Sequence, residues 1–120
     1  QTQNWSTQEW LHFIHALPDD TGAQRMQDLD RRFNFTKSGN YEILSAWLQL
    51  AVDNRYGAAY PALEQFLTVQ GRRKFLEPLY RKLAATPEGL ERAKQIYAKA
   101  RPTYHSVSRQ TIDEILKWQQ

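Results

Sequence analysis

The 120-residue chain contains no cysteine, which rules out disulfides, thiolate zinc sites and cysteine nucleophiles together. The absence fits a reducing compartment, and the compartment expected is the cytoplasm. Long apolar runs are missing as well. Nothing approaches the ~20 residues a helix needs to cross a bilayer, so no membrane partner is expected. No segment sustains the apolar–polar alternation of a half-buried strand. There is no HExxH, no GxSxG and no glycine loop of the kind that cradles phosphate. Taken alone, the chain looks catalytically empty.

What is present is an ordinary globular composition, 41% hydrophobic and 24% charged, at a length that suits one helical domain over residues 1–120. The chain starts at Gln1 without an initiator methionine, a hint that it was cut from something longer. Its charge is uneven. Residues 1–60 hold five Lys/Arg against seven Asp/Glu, for −2, and residues 61–120 hold eleven against six, for +5. A basic half suits nucleic acid, an anionic substrate or an acidic neighbour.

Helix signals follow one another along the chain. Ser6 and Glu9 are spaced as a capping box, and Trp10, Phe13, Ile14 and Leu17 then mark one buried face up to Pro18. The spacing predicts a second helix from Ala23 to Phe33, with Met26, Leu29 and Phe33 inward. A third is capped by Asn40 and carries Ile43, Leu44, Trp47, Leu48, Leu50 and Ala51. A fourth runs from about Ala58 to Val69, with Pro61 in its first turn. Leu79, Tyr80 and Leu83 continue helically to Ala85. Thr86 and Pro87 form a cap and first-position pair for a helix reaching about Ala100. A last helix begins near Ser106 or Ser108 and ends around Trp118. Seven helices joined by short turns predict an all-α fold of stacked antiparallel hairpins, either a bundle or a short superhelix.

Candidate sites are few. Glu9, His12 and His15 recur every third residue, but His15 has rotated away from Glu9, and polar helix edges explain the three better than a metal site does. His105 has no acidic or nucleophilic companion in sequence. Trp10 and Trp47 fall on apolar stripes and read as core, while the terminal Trp5 and Trp118 suit packing against neighbours beyond this chain. The basic cluster matches no RNA-binding motif.

The turn from Gln70 to Lys82 stands apart, with five basic residues against one acidic. Pro78 has no N–H and disfavours helix at Glu77, so an unkinked helix is expected to start no earlier than about Phe75. Gly71 to Lys74 then form an extended lead-in, in which residues two apart share a side. On that reading Arg72 and Lys74 converge while Arg73 points the other way. In a continuous helix the pair would diverge by about 200°. An arginine fork and an ammonium beside a helix N-terminus make a carboxylate or phosphate site.

That turn also carries a resemblance. Gln70-Gly71-Arg72-Arg73-Lys74-Phe75 followed by Pro78-Leu79-Tyr80 resembles the Gln-Gly-Arg-x-Lys-Phe-x-x-Pro-Leu signature of the C-terminal helical domain of leukotriene A4 hydrolase and its zinc aminopeptidase relatives. Asn40-Tyr41-Glu42-Ile43 with Trp47-Leu48-Leu50, and Tyr104-His105-Ser106-Val107, are similar to two further motifs of that domain. The resemblance implies an armadillo-like, right-handed superhelix lining one side of an active-site cleft. It implies that Arg72 and Lys74 bind the free carboxylate of a peptide substrate. It also implies that the zinc and its HExxH ligands belong to a catalytic domain preceding this one, the expected partner, so that this domain alone is inactive. Neither nucleic acid nor membrane is then a partner. Arg73, Glu77 and Ser106 depart from the family pattern; the first two change the local charge, so substrate preference does not carry over. The rival expectation is a non-enzymatic helical module that binds an acidic protein or nucleic acid through its basic half.

Overall fold

The computed structural model describes residues 6–18 and 21–118, and the expectation for Trp5 lies outside them. The described residues form seven α-helices and no strand: α1 (Thr7–His15), α2 (Ala23–Phe33), α3 (Tyr41–Asp53), α4 (Tyr60–Val69), α5 (Arg73–Ala84), α6 (Pro87–Ala100) and α7 (Ser106–Leu116). The fold is all-α. It divides into two compact units, Gln1–Ala59 and Tyr60–Gln120.

In the first unit local chemistry sets the helix ends. Ser6 N–H donates to Glu9 Oε1 at 2.9 Å while Glu9 N–H donates to Ser6 Oγ at 3.2 Å, so Glu9 is spent on a capping box. Asn40 Oδ1 accepts from the amides of Glu42 and Ile43 and caps α3. Asn34, in the left-handed region at φ 61°, ends α2. The main partner of α1 is α3, the helix two further along, and not its immediate successor. Trp47 is fully buried, as its stripe predicts, but Trp10 is only half covered. Trp10 meets Phe33 and Phe35 edge-on at 5.3 and 5.4 Å.

Beneath these rings lies a connected polar group. The Asp30 carboxylate accepts from the Thr36 amide at 2.9 Å, from the Thr36 hydroxyl at 2.5 Å and from the Tyr56 hydroxyl at 2.8 Å. Trp47 Nε1 donates to Thr36 Oγ1 at 2.9 Å. One carboxylate thus supplies the acceptors for three donors, two on Thr36 and one on Tyr56, and a buried donor left unmatched costs about 1–3 kcal/mol.

In the second unit α5 packs on both α6 and α7, and α4 packs on α6. Pairing with the next helix and the next but one is the adjacency that stacked helical hairpins produce. Gly89 permits the tight α5–α6 joint, since a Cβ there would lie 2.2 Å from the Leu83 carbonyl oxygen. At the other end of α6, Arg101 makes a two-point ion pair with Asp113 at 3.0 and 2.9 Å, and the Tyr97 hydroxyl donates to the same carboxylate. The guanidinium holds the Asp113 carboxyl below its usual range. This clamp fixes α7 against the end of α6. Trp118 meets Tyr97 edge-on at 4.9 Å, so it has a partner within its own unit.

The helix limits agree with the sequence for α2, α3 and α6. They differ at α5, which begins two residues before Phe75 and runs through Pro78. Pro78 forfeits one helical bond, about 3 kcal/mol. Phe75, Leu76, Leu79, Tyr80 and Leu83 are all buried along one face, and each such burial contributes about 1.5–3 kcal/mol. Packing therefore outweighs the local preference at Glu77.

Two outcomes follow. Replacing Asp30 by alanine should cost about 2–4 kcal/mol in chemical denaturation, whereas a loss below about 0.5 kcal/mol would mean that the shared carboxylate is dispensable. Burial first, then the bond to Asp30, pushes the Tyr56 hydroxyl up to about 12, above the value near 10 of an unfolded tyrosine. Its contribution is therefore complete below about pH 10 and lost as pH rises toward 12. Melting temperature should fall through that window, and Tyr56→Phe should flatten the fall.

Candidate functional site

The site is built from the turn between α4 and α5. At the end of α4 the Gln70 amide donates to the Phe66 carbonyl at 2.9 Å. The buried Gln70 side chain then folds forward, and its Oε1 accepts from the Arg72 amide at 3.1 Å. Gly71 and Arg72 follow as extended backbone, with Arg72 capping α5 at φ −82°, ψ 125°.

Two bonds from distant residues hold this turn. The buried Ser108 hydroxyl donates to the Gly71 carbonyl at 3.0 Å. The Tyr104 hydroxyl donates to the Leu67 carbonyl, one of the last four of α4, which the helix itself leaves without a partner. Because that bond uses the only Tyr104 proton, the fully buried Tyr80 hydroxyl, 3.0 Å away, must be the donor in the Tyr80–Tyr104 pair. Burial pushes Tyr104 up to about 12, with the Tyr80 bond acting against the shift.

An open cleft of about 790 Å³ lies over the turn, lined by Gly71, Arg72, Arg73, Lys74, Glu77, His105, Val107 and Ser108. Arg72 and Lys74 share it, but for a reason other than strand-like alternation. Lys74 is the second residue of α5, not part of an extended lead-in. Each cation also lies beside the buried Phe75 ring, with the Arg72 Cζ at 5.8 Å and the Lys74 Nζ at 5.1 Å from its centroid. Phe66 sets that ring from α4, edge-on at 5.9 Å. Arg73 does not turn away, as the alternation predicted. It occupies the first turn of α5 and lines the same cleft.

The potential in the cleft is positive. Both α5 and α7 bring their N-termini to it, and neither has a side-chain cap bond or an acidic residue in its first turn. Their first-turn amides add to the cationic side chains. Glu77 is the one carboxylate in the lining, and Arg81 holds it at 3.0 and 2.9 Å. The arrangement can hold and orient an anion. It offers no nucleophile with an adjacent base.

Sequence reasoning missed Gln70, Phe75, His105 and Ser108 as parts of this site. A glutamine and a phenylalanine flanking a run of cations were the available local signal. Ser108 and His105 arrive through tertiary packing alone. Among the described residues no group of three or more His, Asp or Glu side chains is placed to hold a metal. His12 and His15 are exposed, and Glu9 is engaged with Ser6. No described helix is long and apolar enough to cross a membrane.

The family model described as "Leukotriene A4 hydrolase, C-terminal" matches residues 5–116. The chain is 27% identical to leucine aminopeptidase 2 of Chaetomium globosum over 118 residues, covering 96% of this chain and 19% of that protein. It is 28% identical to leucine aminopeptidase 2 of Neurospora crassa over 116 residues, covering 94% of this chain and 17% of that protein. The match to leucine aminopeptidase 2 of Yarrowia lipolytica is 29% over 85 residues, covering 71% and 13% respectively. The chain belongs to the leukotriene A4 hydrolase C-terminal domain family. It spans less than a fifth of the length of the curated relatives it matches.

The turn's dependence on Tyr104 can be measured. Tyr104→Phe strips a donor from the Leu67 carbonyl and an acceptor from Tyr80, and should cost about 2–3 kcal/mol. Adding Tyr80→Phe should cost less than the two single changes together, because it removes the stranded hydroxyl. Strict additivity would show that the three groups do not act as a chain.

Proposed function

We propose that this chain is the C-terminal helical domain of a zinc-dependent aminopeptidase, where it walls one side of the substrate cleft and holds the free carboxylate of a short peptide with Arg72 and Lys74. The observation that carries the reading is that these two cations, each beside the Phe75 ring, line one open cleft that a second helix N-terminus also borders. Membership of the family supports it, as do relatives that are themselves named aminopeptidases.

Among the described residues no group is placed to hold a metal; on this reading the metal and the hydrolytic step belong to a catalytic domain elsewhere in the parent polypeptide. That domain is the proposed partner, and the chain alone binds without cleaving. Its part is positioning. The Arg72 guanidinium offers a planar fork to a carboxylate and Lys74 a point charge. With the C-terminus fixed, a peptide of given length presents the same bond to the metal, and such ordering lowers the barrier without chemistry by the anchoring groups.

A bond to a charged group contributes about 1.5–3 kcal/mol, which corresponds to roughly 10- to 100-fold in kcat/KM. Arg72→Ala in the full-length polypeptide should cause a loss of that size on tripeptides with a free C-terminus. On the same peptides with a C-terminal amide it should have little effect. Equal losses on both would exclude the carboxylate role.

A further inference from the structure

We infer that the cleft is built for two anionic groups, and that its preferred ligands are short peptides ending in a residue with an acidic side chain. The inference rests on the anchoring role proposed above and adds a second contact, made by Arg73. One carboxylate does not account for the lining. Three cations, Arg72, Arg73 and Lys74, face the cleft, and its single acid, Glu77, is already neutralised by two bonds from Arg81. Arg72 and Lys74 each lie against the Phe75 ring. Arg73 makes no such ring contact and no ion pair with any described residue.

Position separates Arg73 from the pair. As the first residue of α5 it is turned about 100° from Lys74. It lines the main cleft and also an adjoining one of about 430 Å³ bordered by Glu77, Arg81, Thr111, Glu114 and Ile115. The guanidinium therefore stands at the junction of two clefts, to one side of the place where an α-carboxylate would meet Arg72 and Lys74. A side-chain carboxylate on the same terminal residue is the anion that reaches such a point, because it hangs on a short tether from the group already anchored. Val107 is 57% exposed in the main cleft and offers the tether's methylenes an apolar surface. The volume exceeds the need of a lone carboxylate and lies in the range of pockets that take small molecules.

The test is a set of NMR titrations of this chain at low ionic strength with Ala-Ala-Ala, Ala-Ala-Glu and their C-terminal amides. Ala-Ala-Glu should bind about three- to fivefold more tightly than Ala-Ala-Ala, the factor expected of one exposed ion pair, with shifts at Gly71, Val107 and Ser108. Arg73→Gln should bring the ratio near one, Arg73→Lys should retain part of it, and Lys94→Gln, on exposed α6 surface, should leave it intact. A ratio near one in the native chain, a ratio that survives Arg73→Gln, an equal loss with Lys94→Gln, or no detectable binding of Ala-Ala-Glu would each overturn the inference. The anchoring role fails separately: in that case amidation of Ala-Ala-Ala leaves its affinity unchanged, whatever the glutamate ratio.

Discussion

The geometry of the cationic turn depends on two carbonyls whose donors come from far along the chain. A helix leaves its last four C=O groups without intrahelical partners, and α4 ends in a buried setting where such groups need donors. The Leu67 carbonyl receives the Tyr104 hydroxyl, and just beyond the helix the Gly71 carbonyl receives the Ser108 hydroxyl. Tyr104 lies just before α7 and Ser108 in its first turn, and the position of α7 is fixed by the ion pair between Arg101 and Asp113. The route therefore runs from a clamp between α6 and α7, through two hydroxyls, to the backbone that presents Arg72. Weakening any of these links displaces the cations without touching them.

Helix α5 shows how a local rule yields to packing. Pro78 argues for a late start, and the first turn carries Arg73 and Lys74, which the helix dipole disfavours. These costs together amount to a few kcal/mol. The buried face from Phe75 to Leu83 exceeds them, because five large apolar side chains contribute about 1.5–3 kcal/mol each. The result matters for the cleft. Starting the helix at Arg73 turns the three cations from an alternating strand into a fan around the helix entrance.

What the sequence made legible was local. The Ser6–Glu9 box, the Asn40 cap and the Thr86–Pro87 pair act within three residues of themselves, and each marks its helix start to the residue. The stripe through Trp47 was equally readable, since burial on one face imposes its own period. The Asp30 network and the Tyr104 and Ser108 bonds join residues from 6 to 37 positions apart, and no spacing rule reaches across such gaps. Choosing α3 over α2 as the main partner of α1 likewise depends on tertiary packing. At the site, Arg72 and Lys74 do line one cleft, but the alternating backbone expected to bring them there is absent, because Lys74 already belongs to the helix. The same argument dismissed Arg73, because it assumed an extended chain at the very residue where the helix begins.

The placement of charge at this turn is itself an argument for a ligand. Helix N-termini favour acidic residues, and α1, α3 and α6 each carry a glutamate in the first turn. At α5 the preference is reversed, with an arginine at the cap and two more cations directly after it. Across the cleft α7 likewise begins without an acidic residue or a side-chain cap. Positive side chains beside positive helix ends destabilise the fold by some tenths of a kcal/mol each, and the packing of Phe75 does not require them. Among the described helices only α5 opens on three consecutive cations, a departure from local preference that the contacts of Arg72 and Lys74 with the Phe75 ring offset only in part. On the reading proposed above, an anion in the cleft would offset this repulsion and accept the hydrogen bonds of Arg72 in one step.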